Sequence, residues 1–135
     1  MLINKELLDG VSALALSNER LRQNYDLRNN SDDQSQRMLN ALEPGTILPI
    51  HRHTNSSETM VVLRGTVREY LYDSNGDIIA NYIIKAASDL IGINIPKGQW
   101  HNLECLESGT VIFEAKDKAY TPISPTDILN LKKGI

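Results

Sequence analysis

The stretch Gly45–Gly65, GTILPIHRHTNSSETMVVLRG, decides how the chain is read. His51 and His53 are one residue apart, Glu58 follows a short polar turn, and the apolar run Met60-Val61-Val62-Leu63 comes next. Side chains two apart on an extended strand leave by the same face, so both imidazoles project together. A turn through Thr54-Asn55-Ser56-Ser57 brings Glu58 back beside them on the following strand. Two imidazoles and a carboxylate aimed at one point are N and O donors suited to a divalent first-row ion. The last of the chain's three histidines, His101, lies in IPKGQWHNL behind a Pro-x-Gly turn and supplies a fourth donor. A chance i, i+2 pair of surface or core histidines would explain His51 and His53 alone, but not the whole set.

Outward from this stretch, 135 residues make one domain, large enough to bury most of its apolar surface. The formal net charge of −3 carries no nucleic-acid footprint. No apolar run reaches the length of a membrane span, and the N-terminus lacks the pattern of a secretory signal. A single cysteine excludes an internal disulfide and fits a reducing cytoplasm. Cys105 reads as a small core hydrophobe, with a catalytic thiol as the remote alternative.

Residues 1–35 read as an N-terminal helical extension. Asn4 is a candidate N-cap, and Leu7, Leu8, Val11, Leu14 and Ala15 recur near helical spacing, a stripe for the barrel wall or a second subunit. A second short turn follows through Ser17–Leu21. From Gln36 the chain reads as strands, 36–42, 66–72, 77–84, 90–95, 100–106 and 110–116, besides those of the histidine stretch. Asn75-Gly76 is the clearest hairpin signal. Short strands with turn signals every eight to twelve residues predict an antiparallel barrel over residues 36–119, a jelly roll. Residues 120–135 read as a tail packing on its outside.

Gly45, His51-x-His53, Glu58 and Gly65 resemble, at every defining position, the first motif of the cupin superfamily, and Pro96-x-Gly98-x-x-His101 resembles its second. Leu90 stands where that second motif has glycine, with Gly92 nearby, and Cys105 where it has asparagine. QRMLNAL, IPKGQWHNLECLESGT and FEAKDKAYTPISPTD are similar to the small bacterial cupin-fold metalloproteins called WbuC, with Arg28 a departure from a histidine common in that segment. The resemblance implies a mainly β double-stranded jelly roll with an N-terminal helix, a metal held by His51, His53, Glu58 and His101, and a setting in surface-polysaccharide (O-antigen) biosynthesis. It also implies a homodimer, since cupins pair through sheet edges and an exposed edge needs covering.

Three imidazoles and a carboxylate leave open positions on Fe, Mn, Ni or Co, and one water on Zn. Met60, Val62, Trp100 and Phe113 are expected to keep bulk water from the site. Arg37 on the strand before the stretch, and Glu114 with Lys116 two residues apart on one face, are candidates for substrate contact, weighed against solvated or structural charges. Arg64 reads as a strand-end salt bridge. The expected activity is that of a metal-dependent isomerase or epimerase on a carbohydrate or nucleotide-sugar; the alternatives are an Fe(II) dioxygenase and a non-catalytic, metal-dependent sugar binder or sensor.

Overall fold

A computed structural model describes residues 1–129. The part of the expected tail at 130–135 lies outside the described residues. Helix α1 (Lys5–Ser17) is followed by eight strands: β1 (Arg22–Asp26), β2 (Gln36–Leu42), β3 (Glu58–Arg64), β4 (Thr66–Tyr72), β5 (Ile78–Lys85), β6 (Gly92–Ile95), β7 (Trp100–Cys105) and β8 (Thr110–Lys116). They form two antiparallel sheets, β1-β2-β8-β3-β6 and β5-β4-β7, the expected jelly roll. Among the described residues, no helix is long and apolar enough to cross a membrane.

Alternation along the strands, broken by bulges at Val62/Arg64 and Leu71/Tyr72, sorts the side chains. Leu42, Met60, Val62, Val67, Ile84, Cys105 and Ile112 meet between the sheets as one apolar core. The opposite face of the larger sheet presents Leu39, Ala41 and Val111 to Val11 and Ala15 of α1, with Phe113 packed against them. Burying each of the larger aliphatic side chains contributes about 1.5–3 kcal/mol. α1 starts where Asn4 Oδ1 accepts the Leu7 N–H at 3.0 Å. Arg64 fixes its position: the guanidinium reaches Asp9 Oδ1 at 2.6 Å, Ser12 Oγ at 2.9 Å and the Gly109 carbonyl at 2.9 Å. The strand-end salt bridge expected of Arg64 thus ties helix to barrel.

The N-terminal extension differs from expectation. Residues 22–26 are not helical but form an edge strand of the larger sheet, in register Arg22↔Leu42 to Asp26↔Met38. The sequence RQNYD carries no period-2 apolar signal because both its faces are largely wet. The turn expected at Ser17–Leu21 is present, closed by Leu21 N–H to Asn18 O at 2.9 Å. Phe113 and Trp100 also depart from their expected place over the site: Phe113 faces α1, and Trp100 lies under the Arg52 guanidinium, 4.5 Å from its ring centroid.

Gly65 joins β3 to β4 with φ +87°, in the left-handed region. A Cβ there would stand 2.7 Å from Thr110 Cα. Gly65→Ala is therefore expected to lower unfolding free energy by about 2 kcal/mol or more, measured as a fall in the urea midpoint at unchanged slope.

Candidate metal centre

Residues 47–57 lie outside the named strands, with a bend at Thr54 and Asn55 and few ladder bonds of their own. His51 is clamped instead to His101: His51 N–H donates to His101 O at 3.0 Å, and His101 N–H donates back to His51 O at 2.8 Å. Gly98 N–H donates to His53 O at 2.8 Å, so the Pro96-Lys97-Gly98 turn holds the second histidine, with Gly98 at φ +81°. Glu58 opens β3 and faces the same interior as Met60 and Val62. The sequence reading made His51 and His53 part of a strand; they sit instead on an extended arm held by single bridges.

The arm brings the rings together. Centroids lie 4.3 Å apart for His51–His101, 5.0 Å for His51–His53 and 5.7 Å for His53–His101. One ring nitrogen of each lies within 4.8 Å of the others. Three donors sharing one ion with bonds of about 2.1 Å stand about 3.0–3.6 Å apart, so the rings must close by about 1 Å or more to hold one. Glu58 Oε1 is 3.3 Å from His53 Nε2 and 3.9 Å from His101 Nε2, with Lys116 Nζ 3.7 Å away.

Tautomers follow from second partners. Nδ1 of His51 lies 3.0 Å from the Pro49 carbonyl, and Nδ1 of His101 lies 2.9 Å from the Gln99 carbonyl. A carbonyl only accepts, so each Nδ1 carries the proton and each Nε2 offers a lone pair, the arrangement that orients metal-binding histidines. Nε2 of His53 and of His101 are buried without a hydrogen-bond partner. Lone pairs aimed inward and left unpaired fit a divalent cation held by His51, His53 and His101 with Glu58 beside them.

Burial, then the nearby His101, pushes the His51 pKa down to about 4. That ring keeps its lone pair across the range in which a free imidazole protonates, so proton competition for it begins only near pH 4. Burial alone would raise Glu58, but the His101 and His53 imidazoles and the Lys116 ammonium outweigh it and hold the carboxyl well below its usual range.

The site opens on a cavity of about 430 Å³. Glu114 and Lys116 line it, as their shared face suggested, and Asn40 donates to Glu114 Oε1 at 3.2 Å. Arg37 does not. It leaves β2 on the α1 side, paired to Asp33 at 3.3 Å, while its neighbours Gln36 and Met38 face the cavity. The apolar lining comes from Met38, Leu48, Leu103 and Ile123. Sequence reasoning missed Glu69, which is 1% exposed and lines the cavity from β4. The readable signal was a charge two residues after Val67, at an inward position of an alternating strand. It also missed Arg20 and Arg22, which line the cavity either side of Leu21, a non-glycine residue at φ +57°. The Leu21 carbonyl is fixed there by Thr46 Oγ1 at 2.6 Å and Glu43 N–H at 3.0 Å. Cys105 sits in the core, its thiol pushed up by burial, which is the structural role expected of it.

A family model described as a domain of unknown function (DUF6016) matches residues 3–84. No protein of curated function matches the sequence. Among solved structures, the chain is similar to CapF from Staphylococcus aureus, a capsular polysaccharide assembling protein: 24% identity, TM-score 0.65, covering 81% of this chain and 30% of that one. KdgF from Halomonas sp. aligns at 11% identity and TM-score 0.59, over 74% of this chain and 82% of that one. Oxalate decarboxylase from Bacillus subtilis, described with Mn(II) centres, aligns at 19% identity and TM-score 0.58, over 82% of this chain and 28% of that one. The chain thus spans less than a third of the CapF and decarboxylase chains. At these identities the likeness is one of fold, the cupin jelly roll.

His51→Ala is expected to weaken binding of a divalent ion at least about 100-fold in titrations, while far-ultraviolet circular dichroism shows the sheets retained. Glu114 gives a second expectation. Burial, then the Glu58 charge, raises its carboxyl to about 7 from an ordinary 4.5. The charged form therefore costs the fold stability above about pH 7, and the cost vanishes below the unfolded value. In metal-free protein, Glu114→Gln should raise Tm clearly near pH 8 and little near pH 5.

Proposed function

This chain belongs to the DUF6016 family, a domain of unknown function, and on that footing we propose that it is a metal-dependent cupin enzyme of the WbuC type that isomerises or epimerises a sugar or nucleotide-sugar in surface-polysaccharide biosynthesis. One observation carries the reading. Among the described residues, the buried side-chain polar atoms without partners, on Gln36, Asn40, His53, Glu69 and His101, all belong to residues lining the cavity that holds the histidines. Leaving each unpaired costs about 1–3 kcal/mol, so a cavity that collects them is built around a polar guest.

A divalent cation held by His51, His53, Glu58 and His101 would act as a Lewis acid on a sugar carbonyl or hydroxyl. The chain's own groups supply proton transfer. Glu114, with a pKa near 7, is suited to take a proton from a carbon beside a polarised carbonyl and to return it. Glu69 faces the same space; burial, then the charges of Glu58 and Glu114, keep its carboxyl protonated well above the usual range, so it donates. Lys116 balances charge beside Glu58. Arg20 and Arg22 add guanidinium donors of the kind that hold phosphate oxygens, which suits a nucleotide-sugar. CapF, named for capsular polysaccharide assembly, shares the fold and lends support to this setting. The same reading makes the protein cytoplasmic, with its lone thiol reduced, and homodimeric.

The test is solvent-deuterium incorporation, followed by NMR, when metal-loaded protein is incubated in heavy water with a panel of nucleotide-sugars. Incorporation at a sugar carbon is expected, lost in His51→Ala and reduced about 100-fold or more in Glu114→Gln with ligand binding retained. Binding without incorporation in the parent protein would instead make it a sugar binder. Oxygen consumption with Fe(II) would make it a dioxygenase.

A further inference from the structure

The cavity differs in chemistry between its inner wall and its rim. Inside, Gln36 Oε1 and Asn40 Oδ1 are buried carbonyl oxygens that no donor reaches, a demand that hydroxyl groups satisfy. Toward solvent the lining includes Arg20, which is exposed, and Arg22, which is half-buried. Among the described residues, neither guanidinium has an acidic partner. Burial, then the Arg20 charge, lowers the Arg22 pKa, so the two cations feel each other's repulsion with no anion between them. Such a pair suits a diphosphate, because each guanidinium can fork two N–H groups onto phosphate oxygens.

The chain crosses the barrel mouth after β8. Lys116 still pairs with β2 and β3 of the larger sheet, whereas Ile128 bridges to His51, itself bridged to His101 of the smaller one. Residues 117–123 therefore pass from one sheet to the other over the end that holds the histidines. Among the described residues they make no hydrogen bond, and beyond them Ser124 caps the Pro125–Asp127 turn. This crossing is tied at both ends only, so it can settle on a guest without breaking bonds of its own. It brings Tyr120 and Ile123 to the cavity. Tyr120 is 60% exposed and, apart from the imidazoles, is the one aromatic ring in the lining among the described residues.

We propose that the rim is a nucleoside-diphosphate subsite, in which Arg20 and Arg22 hold the diphosphate, the Tyr120 ring stacks on the base, and the sugar points inward to the histidines. The assignment rests on the reading of the histidine site as one for a sugar or nucleotide-sugar, and fixes which end of the guest each part of the cavity takes. Hydroxyl groups match the inner carbonyl oxygens, whereas a flat ring and two phosphates match what the rim offers. Stacking tolerates any base, since every base has a π-face, so the subsite recognises the nucleotide as a class.

Isothermal titration of the full-length, Zn(II)-loaded protein with the diphosphates of adenosine, cytidine, guanosine, thymidine and uridine tests this. At least one is expected to bind. For that ligand, Tyr120→Ala should weaken binding at least about ten-fold and Tyr120→Phe less than about two-fold, because the ring face rather than the hydroxyl makes the contact. The double variant Arg20→Gln, Arg22→Gln should weaken it at least about ten-fold as well. Zn(II) affinity should be unchanged in all three variants, a readout that a merely structural role of Tyr120 would move. No binding of any of the five, parental affinity in Tyr120→Ala or in the arginine variant, Tyr120→Phe as weak as Tyr120→Ala, or a parallel loss of Zn(II) would each overturn the proposal. Deuterium incorporation into a free sugar or sugar phosphate, by a protein that binds no nucleoside diphosphate, would remove this subsite and leave the proposed reaction standing.

Discussion

The interior of this barrel is apolar at one end and charged at the other, and everything else in the molecule is subordinate to keeping that charged end ordered. The change occurs along single strands. On β2 the inward side chains pass from Leu42 to Asn40, Met38 and Gln36, on β3 from Val62 to Glu58, and on β8 from Ile112 to Glu114 and Lys116. On β4 Val67 gives way to Glu69, and on β7 Cys105 gives way to His101. Desolvated carboxylates close together raise one another's affinity for protons, which is why Glu114 and Glu69 shift upward while Glu58, beside imidazoles and an ammonium, shifts down. Two roles for carboxyl groups in one cavity arise from environment alone.

The apolar end makes this tolerable. Two clusters, one between the sheets and one under α1, fix β2 and β8 on both faces, and the first also holds β3, so the charged ends of these strands are kept from splaying to reach water. Arg64 adds a tie from the end of β3 to the helix. The histidine arm has no such core beneath it and depends on backbone bonds to β7 and to the turn at Gly98.

Much of this was legible in the sequence because it rests on short-range rules. Turn signals at regular spacing located the strands, the Asn75-Gly76 turn located a hairpin, and Asn4 began the helix. The spacing of His51, His53 and Glu58 with a distant His101 was enough to expect one focus, and the structure brings the four side chains together. What escaped depends on contacts that alternation does not encode. β1 is a polar edge recruited by pairing with β2. Arg37 shares the parity of Leu39 and Ala41, and once those residues lie under α1 its direction is settled, but the sequence alone did not reveal that the helix claims that face. Arg20 and Arg22 reach the cavity through a left-handed Leu21, a conformation imposed by Glu43 and Thr46 from far along the chain.

The segment at 125–129 closes over the outside of the histidine arm. Asp127 O accepts from Arg52 N–H at 3.0 Å, the Asp127 carboxylate takes the Arg52 guanidinium at 2.9 Å, and Leu129 N–H donates to Ile50 O at 2.8 Å. Arg52 thus lies between the two histidines and is gripped from the side opposite to them. A length of chain that contributes none of the four donor side chains therefore removes conformational freedom from the loop that presents two of them. Ion capture then needs less ordering of its own, and any event that peels this strap away would soften the donors without altering one of them.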